Sequence, residues 1–385
     1  MRKNSRNAAG SGTIRQRPDG RWEGQYTLGK DSGTGKQIRK SVYGKTQKEV
    51  KTKLQAVLVD IEKGVFQEPS KMTVATWLDL WLDTYVGNVK PLTKKSYTSQ
   101  IRINIKPNIG AIKLTALTAP IVQTLYNALE KGTDEKAALS SKTIQNIHGV
   151  LHKALNQAVN LGYIKSNPTD ACILPRWERK EIKPLEETQI SAFLKAVQGH
   201  KFETVYVVTL FTGLRQGEVL GLTEDCLQGD KLYVYRQLQK IDGKYVFETL
   251  KNNKTRTLTP APFVMQALKK HIKRQAVMQK QAGVAWNNPN NFVFTNELGE
   301  NLKHITVYKN YKRIVRSLGL DEARFHDMRH SYAVAALQAG DDIKTVQENL
   351  GHHTAAFTLD TYGHVSERMK QESANRMERF IQSVV

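Results

Sequence analysis

Three short strings in the C-terminal half of this 385-residue chain carry side chains that could do chemistry. The first is Thr212-Gly213-Leu214-Arg215-Gln216-Gly217-Glu218-Val219-Leu220-Gly221-Leu222. The second is Phe325-His326-Asp327-Met328-Arg329-His330-Ser331. The third is Leu350-Gly351-His352-His353, with Tyr362 ten residues after His352. Each has a plain reading when taken alone. An arginine after Gly-Leu at a helix start is usually structural, and a tyrosine near a C-terminus ordinarily packs. His326 and His330 stand at i, i+4, the spacing of the zinc-binding H-E-x-x-H helix. Here Asp327 replaces the glutamate, and a shorter carboxylate would not reach the same water. Arg329, between the histidines, would also repel a dication. Zinc hydrolysis is therefore disfavoured.

Elements elsewhere in the chain must position these strings. Helices are expected near 186–197, 203–212 and 215–221, with Pro184-Leu185-Glu186-Glu187 as a helix start. Strand-like Leu232–Leu238 and Lys244–Thr249 flank a turn at Asp242-Gly243. Another strand is expected at 255–259, then helices to the end. Upstream, residues 12–44 alternate as three strands around Pro18-Asp19-Gly20 and a second turn at 31–35, with Trp22, Tyr26 and Leu28 on one face. Thr46 reads as the N-cap of a helix reaching about Glu62. Trp77, Leu78, Trp81, Leu82 and Tyr85 recur at helical spacing and read as core rather than a base-stacking platform. Further helices are expected at 92–105, 118–131 and 140–161, separated by Pro91, by Pro107 to Gly110, and by Gly132. The fold class is then multidomain α+β. A small three-stranded sheet plus helix (1–64) and a linker (65–72) precede an all-α module (73–166). A second linker (167–183) leads to a mostly α domain with a small antiparallel sheet (184–385).

Charge narrows the function classes. The net +22 divides as 15 Lys+Arg against 7 Asp+Glu in residues 1–70, 12 against 6 in 71–175, and 31 against 23 in 176–385. A basic tail on a neutral enzyme would gather the excess in one place. One sign on every module fits a polyanion that each module touches, nucleic acid first. A generally basic surface kept for solubility is the bland alternative. Binding to anionic membrane lacks a basic amphipathic helix or lipidation motif. Arg15, Arg17, Arg21 and Arg39 are expected on the free face or rim of the N-terminal sheet. Lys90, Lys94, Lys95 and Arg102 are candidates for phosphate contact. Hydrophobic residues at 39% exclude wholesale disorder. No run approaches the roughly 18–20 apolar residues of a membrane span. The basic N-terminus lacks the apolar run of a signal peptide. Cys172 and Cys226 are too few for a disulfide framework. A soluble, cytoplasmic protein is expected.

Taken together and in order, Arg215, His326-x-x-Arg329-His330, Gly351-His352 and Tyr362 resemble the signature of the tyrosine recombinase (phage integrase) family, over about residues 180–375. The helical module resembles the family's core-DNA-binding domain. The N-terminal piece resembles the arm-type DNA-binding domain of phage and conjugative-transposon integrases. The resemblance implies a site-specific recombinase that integrates and excises a mobile element; a catalytically silent DNA-binding protein of the same fold is the alternative. It further implies a homotetramer on double-stranded DNA with core and arm sites, in a bacterial, nucleoid-associated setting, with room for accessory directionality or DNA-bending proteins.

The residue roles come with that resemblance. Tyr362 would attack the phosphate and form a 3′-phosphotyrosyl link that keeps the bond energy for rejoining, so no ATP is needed. Arg215 and Arg329 would grip the non-bridging oxygens, a task suited to a planar, permanently charged fork, so the resemblance implies neither a metal nor a cofactor. His326 and His352 would hydrogen-bond the same phosphate, with His326 helping to move the tyrosine proton. The general acid is a lysine of a β-hairpin loop. Lys251 is the choice and Lys254 the competitor within Leu250-Lys251-Asn252-Asn253-Lys254-Thr255-Arg256. Glu218 would orient backbone or a neighbouring side chain, and His330 would support rather than react. His353 and His364 are expected at solvent or a DNA edge. Residues Glu367 to Val385 would form an intersubunit helix, and cleavage in cis or in trans stays open.

Overall fold

The computed structural model describes residues 12–30, 34–62, 71–133, 136–178, 183–251, 253–352, 354, 356 and 367–385. It divides into two compact units, Met1–Glu178 and Arg179–Val385.

The first unit begins with three antiparallel strands, β1 (Thr13–Gln16), β2 (Trp22–Lys30) and β3 (Gln37–Gly44), in the order β1-β2-β3, followed by helix α1 (Gln47–Glu62). Gly20, at φ +81°, closes the Pro18-Asp19-Gly20 turn, and the Arg17 N–H donates to the Arg21 carbonyl at 2.8 Å. Thr46 caps α1 by accepting from the Glu49 N–H at 3.2 Å. Strand alternation decides the faces. A Cβ on Gly24 would stand 2.8 Å from Val50 Cγ1, so Gly24 faces α1, where Tyr26, Val50 and Leu54 are buried. Glu23 points to the opposite face, level with Arg15 on one side and Tyr43 on the other. Leu28 falls at a bulge between Thr27 and Gly29, which interrupts the alternation expected to run through it.

Helices α2 (Val74–Thr84), α3 (Pro91–Gln100), α4 (Lys106–Ile109), α5 (Ala119–Lys131) and α6 (Ser141–Asn160) follow. Trp77, Leu78 and Trp81 are buried with Ile101, Ile105, Leu151 and Leu155, and the Trp77 indole donates to the Ala154 carbonyl at 2.9 Å. Tyr85, counted in the same stripe, is exposed. Pro107 does not end the helical run as its type suggests. Ile101–Ile105 forms a π turn in which the Lys106 N–H reaches the Ile101 carbonyl, and α4 then carries the chain past the proline. The wider turn gives the ring room, and at the start of α4 the missing N–H costs little.

The second unit opens with α7 (Glu187–Val197), α8 (Glu203–Thr212) and α9 (Gln216–Leu220). Strands β4 (Leu227–Gln228), β5 (Lys231–Val234) and β8 (Arg256–Leu258) form one small sheet, and β6 (Arg236–Ile241) with β7 (Lys244–Thr249) a separate hairpin. The run read as one strand from Leu232 to Leu238 is thus two, split at Tyr235. A continuous strand would place Arg236 among the core residues Leu232, Val234 and Leu238. Instead its guanidinium lies 4.0 Å from the Phe247 ring centre and donates to Thr223 Oγ1 at 2.6 Å. Helices α10 (Pro262–Ala282), α11 (His304–Ser317), α12 (Asp327–Ala339), α13 (Ile343–Leu350) and the C-terminal helix Glu367–Val384 complete the unit. Phe193, Tyr206, Tyr311 and Phe325 pack ring against ring in its core. No helix among the described residues is long and apolar enough to cross a membrane.

Candidate active site

Glycines set the path of the first string. Gly213 ends α8 at φ +65°, and a Cβ there would lie 2.6 Å from both Leu350 Cδ2 and Tyr332 Cδ1. Only glycine takes that turn while pressed so closely on α12 and α13. Arg215 then opens α9, its N–H donating to Glu218 Oε2 at 3.0 Å and its Nη1 to Glu218 Oε1 at 2.8 Å. α9 approaches β6 backbone to backbone. Cβ atoms on Gly217 and Gly221 would sit 2.9 Å from the Leu238 oxygen and 2.8 Å from its nitrogen.

Glu218, 1% exposed, joins the elements. Its Oε2 also accepts from Arg256 Nη2 at 2.6 Å, while Arg256 Nε donates to the Asn349 carbonyl at 2.7 Å. Burial alone would raise the carboxyl pKa. Arg256, followed by Arg215 and Arg329, outweighs burial and brings it down to about 2. One buried carboxylate thus orients two guanidinium groups and ties α9 to β8, and Arg256 in turn ties β8 to the end of α13.

Arg329 is also 1% exposed. Its Nη1 donates to the Gly213 carbonyl at 2.7 Å and its Nη2 to the Leu350 carbonyl at 2.6 Å. Those carbonyls close α8 and α13, where the helix dipoles place partial negative charge. A buried cation is costly unless it is compensated, and two backbone carbonyls take one donor from each terminal nitrogen.

The imidazoles complete the cluster. His326 stands just ahead of α12, its ring edge-on to His330 with centroids 4.9 Å apart. His352 follows Gly351, and Gln347 clamps it: the His352 N–H donates to the Gln347 carbonyl at 3.0 Å, and Gln347 Nε2 donates to the His352 carbonyl at 2.7 Å. Lost hydration, then the charges of Arg329 and Arg215, push His326 down to about 4 and His352 down to about 3. Near pH 7 both rings are neutral, each with one donor and one acceptor nitrogen. Lost hydration and then His326 push His330 down to about 3. The Asp327 carboxylate, which stands where a zinc-helix glutamate would, is taken up by Arg324, through the Arg324 N–H at 2.7 Å and Nη2 at 2.7 Å.

Arg215, His326, Arg329 and His352 therefore share one electrostatic neighbourhood. Lys251 is exposed in the connection between β7 and β8, just after the buried Leu250, and Lys254 is exposed further along it. Asn253, at φ +52°, shapes that connection by donating its N–H to the Leu250 carbonyl at 3.0 Å. Tyr362, His353 and His364 lie outside the described residues. Sequence reasoning passed over Arg256. The available signal was its place two residues before the core residue Leu258 on a strand, where alternation turns both side chains inward.

The sequence matches the phage integrase family over residues 183–369 and the phage integrase N-terminal SAM-like domain over residues 73–130. It is 30% identical over 373 residues to the tyrosine recombinase XerC-like protein of Caldanaerobacter subterraneus subsp. tengcongensis, covering 91% of this chain and 94% of that one. It is 24% identical to the ICEBs1 integrase of Bacillus subtilis, covering 95% and 99%. The fold resembles that of the Tn1549 transposon integrase in complex with a circular intermediate DNA (TM-score 0.67, 24% identity, 80% of this chain and 100% of that one). It also resembles a lambda integrase dimer bound to a core site (TM-score 0.57, 18% identity, 92% and 96%). The chain belongs to the phage integrase family of tyrosine recombinases. It is a site-specific DNA recombinase of the integrase type.

Proposed function

We propose that this recombinase cuts and rejoins DNA through Tyr362, with the buried Arg215–Glu218–Arg256 network and Arg329 forming a preset cradle for the scissile phosphate. The hydrogen-bonded network of Arg215, Glu218 and Arg256 is the observation that supports the reading. Its charges and dipoles are fixed before substrate arrives, so they need no reorganisation when negative charge builds on the pentacoordinate phosphate. The Tyr362 hydroxyl attacks phosphorus, the bond to the 5′-oxygen breaks, and Lys251 protonates that oxygen. His326, neutral near pH 7, accepts the tyrosine proton, and His352 donates to a non-bridging oxygen. The fixed guanidinium charges do the neutralising that a metal would otherwise supply.

In the same proposal, residues 1–64 hold arm-type DNA, 73–166 hold the core site, and 184–385 carry the chemistry. The protein works as a homotetramer on two duplexes, joined in part by the C-terminal helix. Met377, Phe380, Ile381 and Val384 are exposed along one stripe of that helix, which supports an apolar contact with a neighbour. A lambda integrase tetramer bound to a Holliday junction, 18% identical, offers a precedent for that assembly.

A nicked core-site duplex tests the chemistry. The wild type should trap a covalent protein–DNA adduct in EDTA as well as without it, and Tyr362→Phe should trap none. No adduct from the wild type would favour a silent DNA-binding protein, and an adduct surviving Tyr362→Phe would move the nucleophile elsewhere. Lys251→Ala with a substrate carrying a 5′-bridging sulfur, which leaves without a proton, should cleave normally. Rescue of Lys254→Ala instead would transfer the role to that lysine.

A further inference from the structure

The outer face of the N-terminal sheet holds a carboxylate that the positive charge of the region does not explain. Glu23 lies in the middle strand and is 4% exposed, although it sits on the face opposite α1. Donors from both neighbouring strands converge on it. Arg15 Nε donates to Oε2 at 2.8 Å, Ser41 Oγ to Oε1 at 2.8 Å, and Tyr43 OH to Oε1 at 3.2 Å. Ser41, then Arg15, hold its carboxyl below the usual carboxylate range. Arg17 in turn lies over the Tyr43 ring, 5.7 Å from its centre.

Two consequences follow from this geometry. Arg15 gives Glu23 its Nε and keeps 70% of its side chain exposed, so the bond to Glu23 orients the guanidinium while most of the side chain meets solvent. The pair is also electrically neutral, so it adds little to the attraction of a phosphate backbone. A directional donor without net charge is poor at gripping backbone and well suited to reading base edges. A guanine offers two acceptors, O6 and N7, spaced for an arginine fork.

We propose that Glu23 is a positioning residue for sequence reading: it aims Arg15 at a guanine edge in a DNA groove, and so sets base preference rather than overall affinity. This rests on the proposed role of residues 1–64 as a DNA-binding module.

The test uses the full-length protein and a library of random-sequence duplexes enriched by binding. The wild-type motif should contain a strongly preferred G·C pair. That preference should drop about tenfold or more in Glu23→Gln and in Arg15→Ala alike, and no further in the double variant. The other positions of the motif should persist, affinity for an unrelated duplex should stay within about twofold, and Glu23→Asp should restore part of the preference. An unchanged motif in Glu23→Gln overturns the proposal. So does an equal loss at every position with a lowered melting temperature, which would make Glu23 merely structural. A full-length variant with Arg15, Arg17, Arg21 and Arg39 all changed to alanine separates the two levels. If it keeps the wild-type motif, the sheet does not read DNA at all and the underlying reading fails.

Discussion

Arg329 is 1% exposed and commits its fork to two backbone carbonyls, whereas Arg15 keeps 70% of its side chain in solvent and gives Glu23 one nitrogen. The two units use the same residue type under different dielectric conditions. In the second unit the charges are largely out of water, so a carboxylate, three guanidinium groups and two helix ends must balance locally. In the first, water reaches the arginines: Arg21 and Asp19 are both exposed and can pair without large consequence for stability, and Arg15 keeps its outer edge in solvent although Glu23 beneath it is buried. Fixed charge suits one phosphate held in one geometry. Screened charge suits a long duplex met at many places and released again.

The largest expected effect that separates the two is Glu218→Ala. It leaves Arg256 and Arg215 beside an empty buried position, and unfolding of the second unit by urea should register a loss of about 3–5 kcal/mol. A loss under about 1 kcal/mol would show that the network is screened like the surface pairs. Arg256→Lys comes next. A lysine keeps the charge but cannot span Glu218 and the Asn349 carbonyl together. Stability should fall by about 1–3 kcal/mol, and adduct formation should slow while core-site affinity is maintained.

Acid is a milder probe. His326, His330 and His352 sit near 4, 3 and 3 in the folded protein against a reference value of 6.5. Their folded values are depressed, so below about pH 6.5 the unfolded chain takes up protons that the folded chain refuses. Stability is therefore full above that pH and declines as pH falls toward 3, with Glu218 adding the same sign between its reference 4.5 and about 2. Urea midpoints measured across this window should fall, and less steeply in His330→Asn. The smallest stability effect is expected for Arg17→Ala, Arg21→Ala and Arg39→Ala, whose unfolding midpoints should match the wild type. Their signature is in binding: the salt slope should shrink by about 0.9 for each phosphate that is no longer neutralised. A destabilised variant with an unchanged slope would reverse the contrast.

Much of this was legible before any coordinates. Thr46 caps its helix because a hydroxyl beside an open N–H is a local matter. The stripe of Trp77, Leu78 and Trp81 announced a buried face for the same reason. The string around Arg215 was legible through its order with the histidines and Tyr362, whereas the turn at Gly213 and the close approaches at Gly217 and Gly221 came only with the structure. Local rules failed where a distant partner intervened. Tyr235 splits a strand because Phe247 and Thr223 take Arg236, and Pro107 is carried inside a helical run by a π turn that no propensity announces.

The sequence by itself determined the residue types, their order and the periodicities, and with them the family, the elements and the surplus of positive charge. Those are properties of neighbours along the chain. Only the tertiary structure decided that Arg256 belongs with Glu218, that the fork of Arg329 closes two helix ends, and that Glu23 lies beneath Arg15. Each of those depends on charges from distant elements meeting where water has been excluded, and no spacing along the chain encodes which of them will meet.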